Sequence, residues 1–243
     1  MKKCLIVFFL IVIPTGFVTA DVYIRQKIHT DAVTMMGQTT PAKDEFSEMW
    51  IGKNKMAVHQ QGQSFIIDRG KNTVYMINKE RKTYIEMIIP VDFSEYLPEE
   101  AAQMAQMMLN TSVTVQPTGE TQKIGEWNCS GYDINIDMMM FKMKTKVWAA
   151  KNVPFDWKGF MNKIYPEMLK VTMRLNDQSV QEISKIDGFW IKSETTMNMM
   201  GSDIGVSQEV EEISKKAAPA GTYSVPEGYT KQDKLSMEDI MKR

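Results

Sequence analysis

The stretch Phe46–Ile89, FSEMWIGKNKMAVHQQGQSFIIDRGKNTVYMINKERKTYIEMII, decides the fold. Met56 and Val58 give a short apolar alternation, and Phe65–Ile67 is a compact apolar run. Val74–Ile77 is apolar on both parities, as is Tyr84–Ile89 apart from Glu86. Between these runs lie Gly52-Lys53-Asn54, Gln61-Gly62, Asp68-Arg69-Gly70-Lys71-Asn72 and Asn78-Lys79-Glu80-Arg81-Lys82, all rich in turn-forming and charged residues. Short strands at a spacing of roughly ten residues make an antiparallel meander. A wide meander must curl around something or be covered by helices.

The chain on either side extends this pattern. Over Asp21–Ala32, Val22, Ile24 and Ile28 oppose Arg25, Lys27 and His29, which predicts a strand with one wet face. Thr34–Lys43, with Gly37 and Pro41, reads as a loop or the end of a hairpin. Pro98–Leu109 changes to a helical period, with Glu99 and Glu100 suited to its first turn. Asn110–Gly119 reads as a loop in which Val113 and Val115 form at most a short strand.

Trp127–Ala149 carries the second clear signal. Tyr132, Ile134, Ile136 and Met138 alternate with Asp133, Asn135 and Asp137, and the apolar parity inverts at Phe141. Such an inversion requires a turn or bulge near 138–140, so a hairpin is expected, with Lys142, Lys144 and Lys146 facing the acidic row. A helix over 160–169 must break or restart at Pro166. Ile186–Met200 and Ile204–Ile213 are strands around Gly201-Ser202-Asp203, and 234–243 forms a short helix with Ser236 as its cap. The total is about ten to twelve strands and two main helices. The class is mainly β with helices (α+β).

Lys2 and Lys3, the apolar run Leu5–Val18 and the small residue Ala20 read as a secretory signal peptide over residues 1–20. The run is shorter than the roughly 20 residues needed to span a bilayer. The expected location is the periplasm or the extracellular space, without stable membrane insertion. Residues 21–231 then form one domain and 232–243 a tail. Without Lys2 and Lys3 the 29 basic residues become 27 against 30 acidic ones, a balance that argues against nucleic-acid binding. Once Cys4 leaves with the signal, Cys129 stands alone and reads as a buried small hydrophobe.

Chemistry-bearing motifs are scarce. His29 and His59 are the two histidines, and neither has a metal-type partner four residues on. The chain has no Gly-x-Ser-x-Gly, phosphate-cradling glycine loop or Cys-x-x-Cys. No metal or cofactor is therefore expected, and the protein reads as a non-enzyme. The 22 methionines cluster at 35–36, 104–108, 138–143 and 197–200. Thioethers suit copper(I), but methionine more readily fills irregular apolar surfaces. The sequence leaves open whether these residues fill a core or line a cavity.

The runs EMWIGKNKMAVH (48–59) and FIIDRGKNTVYMIN (65–78) resemble the core of the periplasmic lipoprotein carrier (LolA-like) superfamily. The nearer resemblance is to the DUF4412 group of exported proteins, supported by GEWNCSGY (125–132), KVW (146–148) followed by Val153-Pro154, and YSVPEGY (223–229). The resemblance implies a curved, incomplete antiparallel barrel with lid helices over an apolar cavity. Carriers of this kind hold acyl chains and act by opening and closing. The functionally important arginine of the carriers matches Lys53, which keeps the charge but loses the planar fork of donors. The helix over 98–109 becomes a candidate lid, and Pro90 to Pro98 its hinge.

The leading expectation is an exported protein binding a lipid, acyl chain or other apolar ligand in the half-barrel, driven by roughly 25 cal/mol per Å² of apolar burial. The cavity candidates are Trp50, Phe65, Ile67, Tyr75, Ile77, Met104, Met108, Trp127, Trp148 and Trp190. The alternative is a structural or protein-interaction module of the cell envelope whose barrel is filled by its own side chains. A continuous apolar cavity of some 300 Å³ or more beneath the helices separates the two.

Overall fold

The computed structural model describes residues 20–35, 38–101, 111–138, 141–199, 202–236 and 239. The meander is present as expected. Strands β1 (Asp21–Thr30), β2 (Val33–Met35), β3 (Gln38–Thr40) and β4 (Lys43–Ile51) lead into β5 (Lys55–His59), β6 (Gln63–Asp68), β7 (Thr73–Asn78) and β8 (Thr83–Ile88). Then come β9 (Ser112–Ile124), β10 (Trp127–Met138) and β11 (Phe141–Ala150). Helices α1 (Trp157–Lys163), α2 (Tyr165–Met173) and α3 (Asp177–Ile183) follow, and β12 (Phe189–Met199), β13 (Ser202–Lys216) and β14 (Thr230–Gln232) close the chain.

Twelve strands make one curved sheet in the order β14-β8-β7-β6-β5-β4-β1-β13-β12-β11-β10-β9. The class is the expected mainly β fold with helices. The sheet is open, ending at β14 and β9, and does not close into a barrel. Every pairing is antiparallel except that of β14, which runs parallel to β8. β2 and β3 form a separate hairpin.

The both-parity apolar runs have a direct cause: both faces of the meander are covered. Met56, Val58, Phe65, Ile67, Val74, Met76, Ile85 and Met87 face the main core. On the other face Ala57, Ile66 and Ile77 are buried under Tyr75, Tyr84, Tyr223, Val225 and Tyr229. The C-terminal stretch after β13 is thus a strap across the outer face. The turns are built by their own polar residues. Asp68, buried and paired with Lys55 at 3.1 Å, accepts from the N–H groups of Gly70 and Lys71. Asn78 accepts from the N–H of Arg81.

The hairpin expected from the inverted parity is β10–β11, and its polar face pairs Asp133 with Lys146, Asn135 with Lys144 and Asp137 with Lys142. β9 corrects the expected loop over 110–119. Its 13 residues pair with β10 as far as Ile124. The polar GETQK sequence and Pro117 are tolerated because β9 is an edge strand, where a missing donor faces no neighbour. The helix break falls where proline requires it, with Pro166 in the first turn of α2.

α3 was not expected. Its signal is Asn176, which caps it by accepting from the N–H of Ser179 at 2.8 Å. Ser236 and Asp239 cap each other reciprocally: each backbone N–H donates to the other's side chain. Residues 1–19 of the expected signal, most of the helix over 98–109, the 138–140 turn beyond Met138 and the rest of the tail helix lie outside the described residues. Pro90 to Pro98 is a packed connection, with Phe93–Tyr96 as a 3-10 turn and Leu97 buried.

Candidate functional site

Between the inner face of the sheet and α1–α3 lies a cavity of about 440 Å³. Its wall combines Met49, Val58 and Phe65 of the meander with Ile134, Ile136 and Met143 of β10–β11, and with Ile191 and Met197 of β12. The helices add Met161, Met168 and Met173. Curvature explains this: strands on either side of β1 face the same space only because the sheet wraps around it.

The helices are held over the cavity by aromatic packing. Phe160 lies 5.6 Å from Tyr165, and Tyr165 lies 5.9 Å from Trp190 on β12, ring centre to ring centre. Phe155 stacks edge-on to Phe189 at 5.2 Å. Burial pushes the Tyr165 phenol upward, so it stays neutral. The indole N–H of Trp190, a cavity-wall residue, is buried with no acceptor among the described residues.

Among the described residues six methionines line the space: Met49, Met143, Met161, Met168, Met173 and Met197. A wall of unbranched, polarizable side chains can adapt to a flexible apolar ligand. A few hydroxyls add polarity without charge, with Thr145 and Thr195 bonded to each other at 3.0 Å. Lys192, the charged residue among the described residues of the wall, is paired with Glu194 at 2.9 Å.

The expected site residues are distributed as follows. Phe65 and Trp190 line the cavity. Ile67, Trp127 and Trp148 are buried in the main core without reaching it. Tyr75 and Ile77 pack beneath the strap on the outer face. Trp50 also faces outward, 4.7 Å from the Tyr23 ring, with the Lys216 ammonium 5.9 Å from its own ring. Met104 and Met108 lie outside the described residues. Lys53, exposed in the β4–β5 turn, borders a separate pocket of about 310 Å³ with Arg69 and Lys163.

One arrangement outside the cavity has the elements of a nucleophile and base. The Ser64 hydroxyl lies 2.8 Å from His59 Nδ1, and His59 Nε2 lies 3.2 Å from the Thr222 carbonyl. Ser64 is only 2% exposed beneath the strap, so substrate has no approach and the pair serves as a latch. Cys129 is likewise buried, and burial pushes its thiol up to about 11. Among the described residues no group of three His, Cys, Asp or Glu is arranged to hold a metal. No helix among them is long and apolar enough to cross a membrane.

Over residues 25–229 the chain matches the model of the family described as Domain of unknown function (DUF4412), and it belongs to that family. Among solved structures it is similar to a domain described as an outer membrane lipoprotein-sorting protein domain, from Vibrio parahaemolyticus. The two share 7% identity over 82% of this chain and 87% of that one, with a TM-score of 0.29. Similarity at that level leaves function to be argued from the site itself. Comparison with curated proteins gives no match.

Proposed function

We propose that this is an exported, non-catalytic protein that binds a lipid-like or other apolar chain between its curved sheet and α1–α3. The observation that carries the reading is the methionine-rich cavity of about 440 Å³, of a size typical of small-ligand pockets. Filling it removes apolar surface from water on both ligand and wall, worth roughly 25 cal/mol per Å². The threonine and tryptophan groups in the wall orient such a chain without supplying a nucleophile or base.

Export is read from Lys2, Lys3 and the apolar run after them. The test is mass spectrometry of organic extracts from protein purified out of the envelope, with uptake of a neutral apolar fluorophore in parallel. Co-purifying lipid and saturable uptake are expected. Absence of both overturns the reading and leaves a structural module whose interior takes no ligand.

A further inference from the structure

We propose that the cavity and the cleft at its mouth form one amphiphile site, whose polar half selects an uncharged, hydroxyl-bearing head group over an anionic one. The inference rests on the reading that the cavity holds an apolar chain. The cleft, about 490 Å³, shares Ile28, Gln60, Gln63 and Gln208 with the cavity, so the two spaces abut along those residues.

The inner face changes character in order along β5–β6. Met56 and Ile67 are packed core, Val58 and Phe65 border the cavity, and Gln60 and Gln63 form the rim. An apolar chain seated against Val58 and Phe65 therefore delivers its polar end to the glutamines. The Gln63 side-chain amide donates to the Gln60 side-chain carbonyl at 3.2 Å. Whichever way this amide pair is turned, one whole NH2 group and one carbonyl remain for a ligand, matching a hydroxyl that both donates and accepts.

The charges of the cleft bear on the class of head group. Recognition of phosphate or carboxylate uses charged donors, above all arginine. Among the described residues of the cleft the cation is Lys43, already bonded to Glu45 at 2.7 Å. Glu80 adds negative charge to the same wall, and the Asp239 carboxylate is already paired with the Arg81 guanidinium. The described cations around the cleft are engaged, Lys43 and Arg81 with carboxylates and Lys79 with the Gln60 backbone carbonyl, so an anionic head meets paired charges, whereas a sugar or glycerol head meets amides.

The experiment is displacement of N-phenyl-1-naphthylamine, a neutral apolar fluorophore, from the purified protein. The competitors are dodecyl maltoside and dodecyl phosphate, both below their micelle concentrations. The maltoside is expected to displace at a concentration at least about tenfold lower, the equivalent of one or two hydrogen bonds. A Gln60→Ala/Gln63→Ala double variant is expected to keep fluorophore uptake while bringing the two competitors within about threefold of each other. Equal or better displacement by the phosphate overturns the head-group assignment alone, as does a double variant that retains the preference. Failure of the fluorophore to bind overturns the cavity reading beneath it, and this inference with it.

Discussion

The Tyr223 phenol donates a 2.9 Å hydrogen bond to the Asp21 carboxylate, joining residues 202 positions apart. Asp21 begins β1, and Tyr223 belongs to the strap that buries Ala57, Ile66 and Ile77. The bond therefore fastens the strap to the first strand. Burial, followed by the Asp21 carboxylate, pushes the phenol well above the usual tyrosine range, so it remains a donor throughout the physiological range. Tyr223→Phe keeps the apolar ring and is expected to cost about 1 kcal/mol, the net worth of one hydrogen bond. Urea denaturation followed by tryptophan fluorescence measures it; an unchanged midpoint shows that the bond does not hold the strap.

His59 makes the second fastening pH-dependent. Burial, and then the charge of Lys79, hold its imidazole below its ordinary pKa of 6.5. The unfolded chain thus binds a proton more readily than the folded one between the depressed value and 6.5. Stability from this group is complete above pH 6.5 and is lost as pH falls through that window. In wild type the urea midpoint should drop on going from pH 7.5 to 5.5 by more than in His59→Gln. Equal drops in the two proteins would remove His59 as the cause.

Met143→Trp places a larger, rigid ring in the cavity wall. Met143 is partly exposed beside the space, so the ring has room without displacing the packed core. Fluorophore uptake is expected to weaken by at least about tenfold, the equivalent of 1.4 kcal/mol of binding. The cost to stability should stay within about 1–3 kcal/mol, the usual range for overpacking. Unaltered uptake with an intact fold would place the ligand elsewhere.

Cys129 should resist thiol reagents. It is 2% exposed, and a thiol pushed up to about 11 by burial holds almost no thiolate at neutral pH. Reaction with a chromogenic disulfide is expected to be negligible in the native protein and complete in 6 M guanidinium, a concentration chosen as roughly that which unfolds hyperstable domains too. Rapid labelling of the native state would show that this part of the core opens.

The β10–β11 hairpin was legible in the sequence because a face swap has few causes. Tyr132, Ile134 and Ile136 face the core, so the change of parity before Phe141 required a turn or bulge, and the strand pairing then sets Asp133 opposite Lys146. Pro166 was legible for the same reason, since a ring without an N–H fits only the first turn of α2. β9 was illegible as a long strand because Pro117, Gly119 and their polar neighbours form an edge, where pairing on one side suffices. Phe65 and Trp190, named as large aromatics on strands, are cavity-lining residues. The methionines of α1 and α2 were missed because helically spaced methionine reads equally well as core.

The sequence by itself determined the meander, its turns, the β10–β11 hairpin and the family. Each follows from local periodicity, or from residues within one strand pair. It also showed the runs of β7 and β8 to be apolar on both parities apart from Glu86. Only the tertiary structure decided what covers them: the core on one side, and on the other a strap more than 100 residues later in the chain. It alone decided that Trp50 and Tyr75 face outward, and that space remains between β6, β12 and α2. A cavity is what packing leaves over. It depends on sheet curvature and on volume differences of a few side chains, quantities that exist only once distant strands have met.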